Sequence, residues 1–313
     1  MSASTQQAAA VPLGNDKLKG ILYLCAGALV FTIQDVIIKL LSGDYPLAEV
    51  LTIRCVVAFL PLFILIRFDG GFGGLRLKRP GPLFLRGLLL LGAYTTYYLA
   101  IVAIPLTEAA ALFYASPLFI VLLAGPLLGE RPRPGIWVAI VIGFAGVLIV
   151  LRPGGGLFDP AALFALASTI FYGLAQLMAR SLGTVERASV MALCQNLVFL
   201  VGAGAMGIVA GDGGFAGDRD VSMDFLLRGW AWPGPLDLLL MAATGVVAAL
   251  GSWMLAHAYR IAEANVVAPF EYSSIVILTI WGALLWGEVP GLYTVAGVIV
   301  IIGAGVYVLR AGR

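Results

Sequence analysis

Ten apolar stretches of 17 to 24 residues follow one another along this chain, with short polar segments between them. About 20 helical residues cross the hydrocarbon core of a bilayer. Because backbone N–H and C=O groups find no water there, a spanning segment must satisfy them internally as a helix. We therefore expect an all-α integral membrane protein with ten transmembrane helices. The stretches are 18–41, 47–66, 82–103, 106–127, 135–151, 161–181, 189–210, 237–258, 264–286 and 291–309.

The composition agrees with a membrane protein. Hydrophobic residues make up 61% of the chain and charged residues 12%, whereas soluble domains carry about 25% charge. Cys25, Cys55 and Cys194 all lie inside apolar stretches, so no disulfide framework is expected. Residues 1–17 are mostly small and polar, and we expect a disordered tail there. They lack the features of a signal peptide, so the first span should be retained.

The distribution of lysine and arginine predicts the orientation, because basic residues are enriched in cytoplasmic loops. With the N-terminus inside, 14 basic residues fall on or near the cytoplasmic side, and four fall on the outer side. Both termini are therefore expected in the cytoplasm, in a cell inner (plasma) membrane. The outer four are Lys39, Arg152, Arg219 and Arg228, and the inner group includes Arg86 and Arg180.

The chain repeats itself. Residues 109–152 align without a gap with 267–310 at a separation of 158 residues, and spans one and two align with spans six and seven at 141. The matched pairs include Tyr114 with Tyr272, Ser116 with Ser274, Glu130 with Glu288, Lys39 with Arg180, Asp35 with Gln176 and Arg54 with Gln195. Two five-span units follow, 18–152 and 153–313, with an outer-loop insertion at 211–236. Because five is odd, the second unit must be inverted in the membrane, as in many transporters.

These residues resemble a known family. The doubled five-helix unit, a fourth span ending in Leu-Leu-Gly129-Glu130, its copy ending in Leu-Trp-Gly287-Glu288, and Arg54 in the second span are similar to the EamA branch of the drug/metabolite transporter superfamily. The resemblance covers Leu18 to Arg310. It implies a ten-helix pseudo-symmetric carrier of small metabolites, with amino-acid exporters among its members. Gln195 stands where a symmetric arginine would be expected.

A charged group near the bilayer centre costs at least ~2.5–3.5 kcal/mol, so each one needs a partner or a function. Asp35 and Arg54 lie at similar depth on helices joined by a short turn, and we expect them to form an ion pair. The repeat places Gln176 and Gln195 at the equivalent positions, as a neutral amide pair. Such a pair either locks the helix hairpin or handles solute or protons.

Glu271 lies about two turns into the ninth span, where Phe113 is its counterpart. It is either a site for a solute ammonium group or a proton, or it makes a structural hydrogen bond to the backbone freed by Pro269. Pro117 and Pro269 each remove a helix hydrogen bond. Such breaks mark transporter sites, although prolines are also tolerated in membrane helices. We consider both prolines as hinges.

Several hydroxyl and aromatic side chains are candidates for lining an amphipathic cavity. Their spacing places Tyr94, Tyr97 and Tyr98 on one face of a helix. Three hydroxyl groups on a face that contacts lipid would be unfavourable, so we expect this face to point into the bundle. The complete set of solute-binding candidates is Tyr94, Tyr98, Tyr114, Ser116, Trp253, Glu271, Tyr272, Ser274 and Trp281. Glu130 and Glu288 are expected to begin the helices that follow them.

The sequence contains no phosphate-binding GxxxxGK[ST] loop and no catalytic motif of a membrane enzyme. We expect no enzymatic activity, cofactor, metal ion or nucleic-acid partner, and a chain compatible with a monomer in the bilayer. The favoured function is export of neutral or aromatic amino acids by alternating access. The alternatives are uptake or exchange of a larger metabolite, such as a nucleotide-like or sulfonium compound, and a membrane scaffold without transport activity.

Overall fold

A computed structural model of the protein describes residues 17–74, 77–113, 115–128, 134–151, 160–215, 220–267, 270–271 and 273–311. Within these ranges the chain is helical and contains no strand, which confirms the all-α prediction. The helices are α1 Lys17–Leu41, α2 Leu47–Phe68, α3 Pro80–Ala103, α4 Leu106–Phe113, α5 Ser116–Leu128, α6 Pro134–Leu151, α7 Pro160–Leu182, α8 Ala188–Ala210, α9 Val221–Leu227, α10 Pro235–Ile261, α11 Ala264–Val267, α12 Ser273–Trp286 and α13 Leu292–Ala311. Tyr114, Tyr272, Glu130, Pro269 and the tail before Lys17 lie outside the described residues.

Six helices are long and apolar enough to cross a membrane: α1, α2, α3, α7, α8 and α10. They leave large apolar side chains on the outside of the bundle, such as Leu60 and Val201, which are 70% and 71% exposed. Lipid tails, unlike water, are a favourable environment for such surfaces. The protein is therefore a multi-pass membrane protein. Of the other four apolar stretches, 106–127 and 264–286 form interrupted helices. The remaining two form α6, of 18 residues, and α13, of 20 residues.

Two of the expected spans are interrupted. The fourth stretch divides into α4, which ends at Phe113, and α5, which begins at Ser116. Pro117 explains this break, because it has no N–H to donate to the carbonyl of Phe113. The ninth stretch divides into α11 and α12, with Glu271 between them. The expectation of continuous helices over 106–127 and 264–286 was wrong in this respect.

The main helix contacts relate the two halves of the chain. α1 packs on α10, α3 on α7, α2 on α8 and α6 on α13. Under the repeat, α1 corresponds to α7 and α10 to α3, so the first two contacts are equivalent to one another. Each of the four contacts joins a helix of the first half to a helix of the second.

Buried apolar side chains form two large clusters, one towards each end of the bundle. The first includes Ile38, Leu51 and Ile101, near the end of α1, the start of α2 and the end of α3. The second includes side chains from the start of α3, the end of α7 and the end of α10. Tyr94 and Phe113 pack against both clusters. The middle of the bundle is therefore where the apolar core is interrupted.

The contact between α2 and α10 depends on a glycine. A Cβ atom on Gly245 would lie 2.6 Å from the backbone oxygen of Arg54 and 2.9 Å from Cβ of Val57. The first of these neighbours is main chain, which cannot move away as a flexible side chain would. Close helix approach through small residues is a common packing mode in membranes.

Gly245→Ala is expected to destabilise the protein by about 1–3 kcal/mol, because the added methyl group forces α2 and α10 apart. Gly204→Ala in α8 is the control, since a Cβ there meets nothing within 4 Å. Thermal unfolding of the purified protein in detergent measures both effects. Equal melting temperatures for the two variants would contradict the proposed dependence on Gly245.

Candidate functional site

A cavity lies in the middle of the bundle, between the two apolar clusters. The space between its lining atoms is about 580 Å³, with the open solvent at its mouth included. The lining is mostly apolar and aromatic, with two carboxylates. The lining residues are Ala28, Phe31, Asp35, Ala93, Tyr94, Tyr97, Phe113, Tyr172, Leu255 and Glu271. We call this space the central cavity.

The lining of the central cavity follows the sequence repeat. Phe31 and Tyr172 are separated by 141 residues, as the first two spans and their copies are. Phe113 and Glu271 are separated by 158 residues, as the later spans are. Tyr97 with Leu255 is a third pair of the same kind. Equivalent positions of the two halves therefore face the same space but carry different chemistry.

Glu271 is held by three hydroxyl groups. Tyr259 and Tyr172 donate hydrogen bonds of 2.7 and 2.9 Å to its Oε1, and Ser116 donates one of 3.2 Å to Oε2. The side chain is buried, yet it forms no ion pair with any residue that the structure describes. These contacts come from α5, α7 and α10, so the carboxylate connects three helices at the edge of the cavity.

Asp35 enters the central cavity from α1. Its Oδ2 accepts a hydrogen bond of 3.4 Å from the hydroxyl of Tyr97 on α3. The expected ion pair with Arg54 is not formed, so this prediction was wrong. Arg54 instead places its guanidinium carbon 5.1 Å from the ring centre of Phe199 and 5.6 Å from that of Tyr94. The aromatic faces compete with the carboxylate because they offer a desolvated cation a favourable contact inside the bundle.

Arg86, which the sequence assigns to the cytoplasmic side, has a side chain that is buried in the bundle and only 2% exposed. Its position explains the burial, because it lies nearly two turns inside α3, where the next residue, Gly87, faces Val198 of α8. Arg54 is therefore not the only buried cation among the described residues.

The other predicted residues divide between the cavity and its surroundings. Tyr98 is fully buried behind the wall, where its hydroxyl accepts a hydrogen bond from the amide of Gln34. Trp253 stacks on His257 with ring centres 5.3 Å apart. Trp281 packs against the first apolar cluster, and Ser274 is buried. These four side chains do not belong to the cavity lining.

The predicted amide pair is also divided. Gln176 is buried on α7, and its Oε1 has no hydrogen-bond partner in the described part of the chain. Gln195 lies on α8 in a different, smaller cavity with Arg54.

Pro117, one of the two predicted hinges, is the second residue of α5.

Three functional candidates were not among the residues predicted from the sequence: Tyr172, Tyr259 and Phe31. A signal was available for Tyr172, because the repeat aligns it with Phe31, four residues before Asp35. No comparable signal marks Tyr259, whose counterpart is Ile101. Only the folded bundle brings its hydroxyl to Glu271.

One carboxylate joins three segments at the end of the bundle where α1 finishes. Glu288 accepts a bond of 2.6 Å from Nζ of Lys39 and one of 2.8 Å from the backbone N–H of Leu106, the first residue of α4. The expectation that Glu288 begins the helix after it was wrong: it caps α4 instead. The free N–H groups at a helix N-terminus favour a negative charge, which explains this choice. We call this arrangement the Glu288 bridge.

Comparison with known proteins decides the family. The model of the EamA-like transporter family matches residues 18–152 and again 159–310. The chain belongs to the EamA-like transporter family. The family resemblance drawn from the sequence is thereby confirmed.

Several relatives of known function are similar over nearly the whole chain. The pseudopaline exporter of Pseudomonas aeruginosa is 29% identical, covering 95% of this chain and 99% of the relative. The S-adenosylmethionine uptake transporter of Rickettsia prowazekii is 26% identical, covering 96% of each. The riboflavin transporter of Rhizobium johnstonii is 28% identical, covering 93% and 91%. These relatives support a small-molecule transporter rather than an enzyme.

A solved crystal structure shares the fold. It superposes with a TM-score of 0.62 at 20% sequence identity, covering 93% of this chain and 94% of the other. At this identity the likeness concerns the fold alone.

The Lys39–Glu288 ion pair is expected to contribute measurably to stability, because its side chains are only 10% and 19% exposed. A double-mutant cycle with Lys39→Met and Glu288→Gln, read by thermal unfolding, should give a coupling energy of at least ~1 kcal/mol. The control is the Asp224–Arg228 pair of α9, at 31% and 27% exposure, for which about 0.3–0.5 kcal/mol is expected. A coupling no larger than that of the control would contradict the expectation.

Proposed function

We propose that this protein is an alternating-access carrier that exports small amphipathic metabolites with an amino group, most simply neutral or aromatic amino acids. The observation that carries the proposal is the central cavity, in which Asp35 and Glu271 face a largely aromatic space. Neither carboxylate forms an ion pair with a described residue. An ammonium group is the complementary charge.

Desolvation is the reason that the two carboxylates need a partner. A carboxylate at this depth is costly unless it is paired, hydrogen-bonded or protonated. The hydroxyls of Tyr172, Tyr259 and Ser116 offset part of this cost for Glu271, and Tyr97 does so for Asp35. A bound ammonium group or a proton offsets the rest. The rings of the cavity would hold the apolar part of the solute and offer a face to its cation.

The transport cycle that we propose uses the repeat. Ten spans would form two inverted five-helix units, 18–152 and 153–313, with an outer insertion at 211–236 and both termini in the cytoplasm, in the inner (plasma) membrane. Three observations support this arrangement: the family model matches twice, the main contacts relate the halves, and equivalent residues line the cavity. The halves would rock about the interruptions near Pro117 and Pro269.

A second candidate is uptake or exchange of a larger sulfonium or nucleotide-like compound. The relatives named as S-adenosylmethionine uptake transporters favour it, and a sulfonium cation would also suit two carboxylates among aromatic rings. A sulfonium compound and an amino acid differ in cargo size and in direction of transport, but both present a cation to the two carboxylates of the cavity.

Asp35→Asn and Glu271→Gln are each expected to lower kcat/KM for the transported solute at least about tenfold, since each removes a charge that meets the ammonium group. The assay measures uptake of radiolabelled amino acids and S-adenosylmethionine into proteoliposomes, with and without a pH gradient. Asp44→Asn is the matched control, because this carboxylate lies exposed in the turn after α1. Solute uptake by the Asp44→Asn variant should equal uptake by the unmodified protein.

The outcomes separate the candidates. Amino-acid uptake that falls in both cavity variants supports the first proposal, and S-adenosylmethionine uptake alone supports the second. Loss of gradient dependence in Glu271→Gln would assign the proton to Glu271. Unchanged uptake in both variants would show that the two carboxylates do not bind the solute.

Tyr172→Phe and Tyr259→Phe should each reduce transport several-fold, because each removes one hydroxyl donor from Glu271 and leaves the ring in place. Tyr307→Phe is the control, since this side chain is 45% exposed on the outside of α13. Uptake kinetics on all three variants test the point. If the two inner variants behave like Tyr307→Phe, the hydroxyl contacts have no role in transport.

A further inference from the structure

A second, smaller cavity lies between α2, α8 and α10, apart from the central cavity. The space between its lining atoms is about 200 Å³, against about 580 Å³ for the central cavity. The part of it that is free of contacts has about the size of one water molecule or one small ion. Its lining combines four polar side chains with apolar ones. The lining residues are Arg54, Leu62, Ala192, Gln195, Asn196, Ala248, Ala249 and Ser252. No residue is shared with the lining of the central cavity.

Arg54 is a buried cation without a counter-ion in contact. Its residue is 2% exposed, and its Nε and Nη1 have no hydrogen-bond partner among the described residues. The nearby rings of Tyr94 and Phe199 stabilise a cation through their faces, but they do not accept its N–H groups in the plane of the guanidinium. Breaking or omitting the partner of a buried charge is strongly unfavourable. The site therefore has an unmet demand for an acceptor.

The polar groups around Arg54 are rich in donors. The amide nitrogen of Asn196 donates a hydrogen bond of 3.0 Å to the carbonyl of Cys55, which leaves its second N–H. The amide of Gln195 brings further N–H groups. The hydroxyl of Ser252 already donates its hydrogen to the carbonyl of Ala249, at 3.3 Å, and brings no further donor. No carboxylate belongs to this lining. Donors without an acidic partner are the composition of an anion site.

We propose that this cavity is a binding site for one small inorganic anion of halide size, held by Arg54 with Gln195 and Asn196. The positive charge favours an anion over the water molecule that would also fit. The size of the cavity excludes a metabolite, and the ring of Tyr94 separates Arg54 from the central cavity that would hold the solute. The anion would neutralise Arg54 and bind α2 and α8 together at the contact between the two halves. This inference does not depend on the proposed solute.

The test titrates chloride against gluconate at constant ionic strength and follows thermal unfolding of the full chain in nanodiscs. A ligand that binds the folded state raises the melting temperature by mass action, and we expect a saturable rise of about 3 °C or more. Arg54→Gln should lose this rise. Arg67→Gln, an exposed arginine in the last turn of the same helix, should keep it.

Equilibrium binding of radiolabelled chloride to the unmodified protein gives a second readout that needs no variant to fold. The proposal requires saturable binding close to one ion per chain, competed by bromide. Acetate in place of chloride distinguishes a halide site from one that also takes a carboxylate group. Absence of saturable binding together with a melting temperature indifferent to chloride would overturn the proposal and leave the cavity to water. An equal chloride response in Arg54→Gln would also overturn it.

Discussion

The absence of water in the hydrocarbon core is the constraint on which this fold depends. It forces the backbone into helices and permits irregular backbone only where protein or a cavity surrounds it. The helices are interrupted at two such places, between α4 and α5 and between α11 and α12. Glu271 lies in the second interruption, against Ser116 at the start of α5. The two breaks and the buried carboxylate therefore form one local arrangement.

Much of this architecture could be predicted from the sequence, because hydrophobic length and an ungapped repeat are strong signals. The positions of the apolar stretches follow from the printed residues. The sequence also singled out Asp35 and Glu271, and both line the central cavity. Pairing between side chains could not be predicted with the same success. Arg54 and Asp35 have matching depth and opposite charge, yet rotation about the helix axes directs one to aromatic rings and the other to Tyr97.

The same limit applies to the aromatic residues. Their spacing places Tyr94, Tyr97 and Tyr98 on one face of α3. Only part of this face lines the central cavity, and Tyr98 is fully buried behind the lining residues. Tyr259 reaches Glu271 from a helix whose repeat partner offers only Ile101. The asymmetry between the halves is thus concentrated at the site, where a repeated scaffold carries an acidic group on one side and a ring on the other.

The Glu288 bridge bears on how that end of the bundle would open in the proposed transport cycle. The two oxygens of one carboxylate hold the end of α1 and the start of α4, both from the first half, to a residue of the second half. In the proposed transport cycle, separation of the halves at this end breaks both of these bonds. Loss of the single carboxylate of Glu288 would therefore weaken the attachment of α1 and of α4 together.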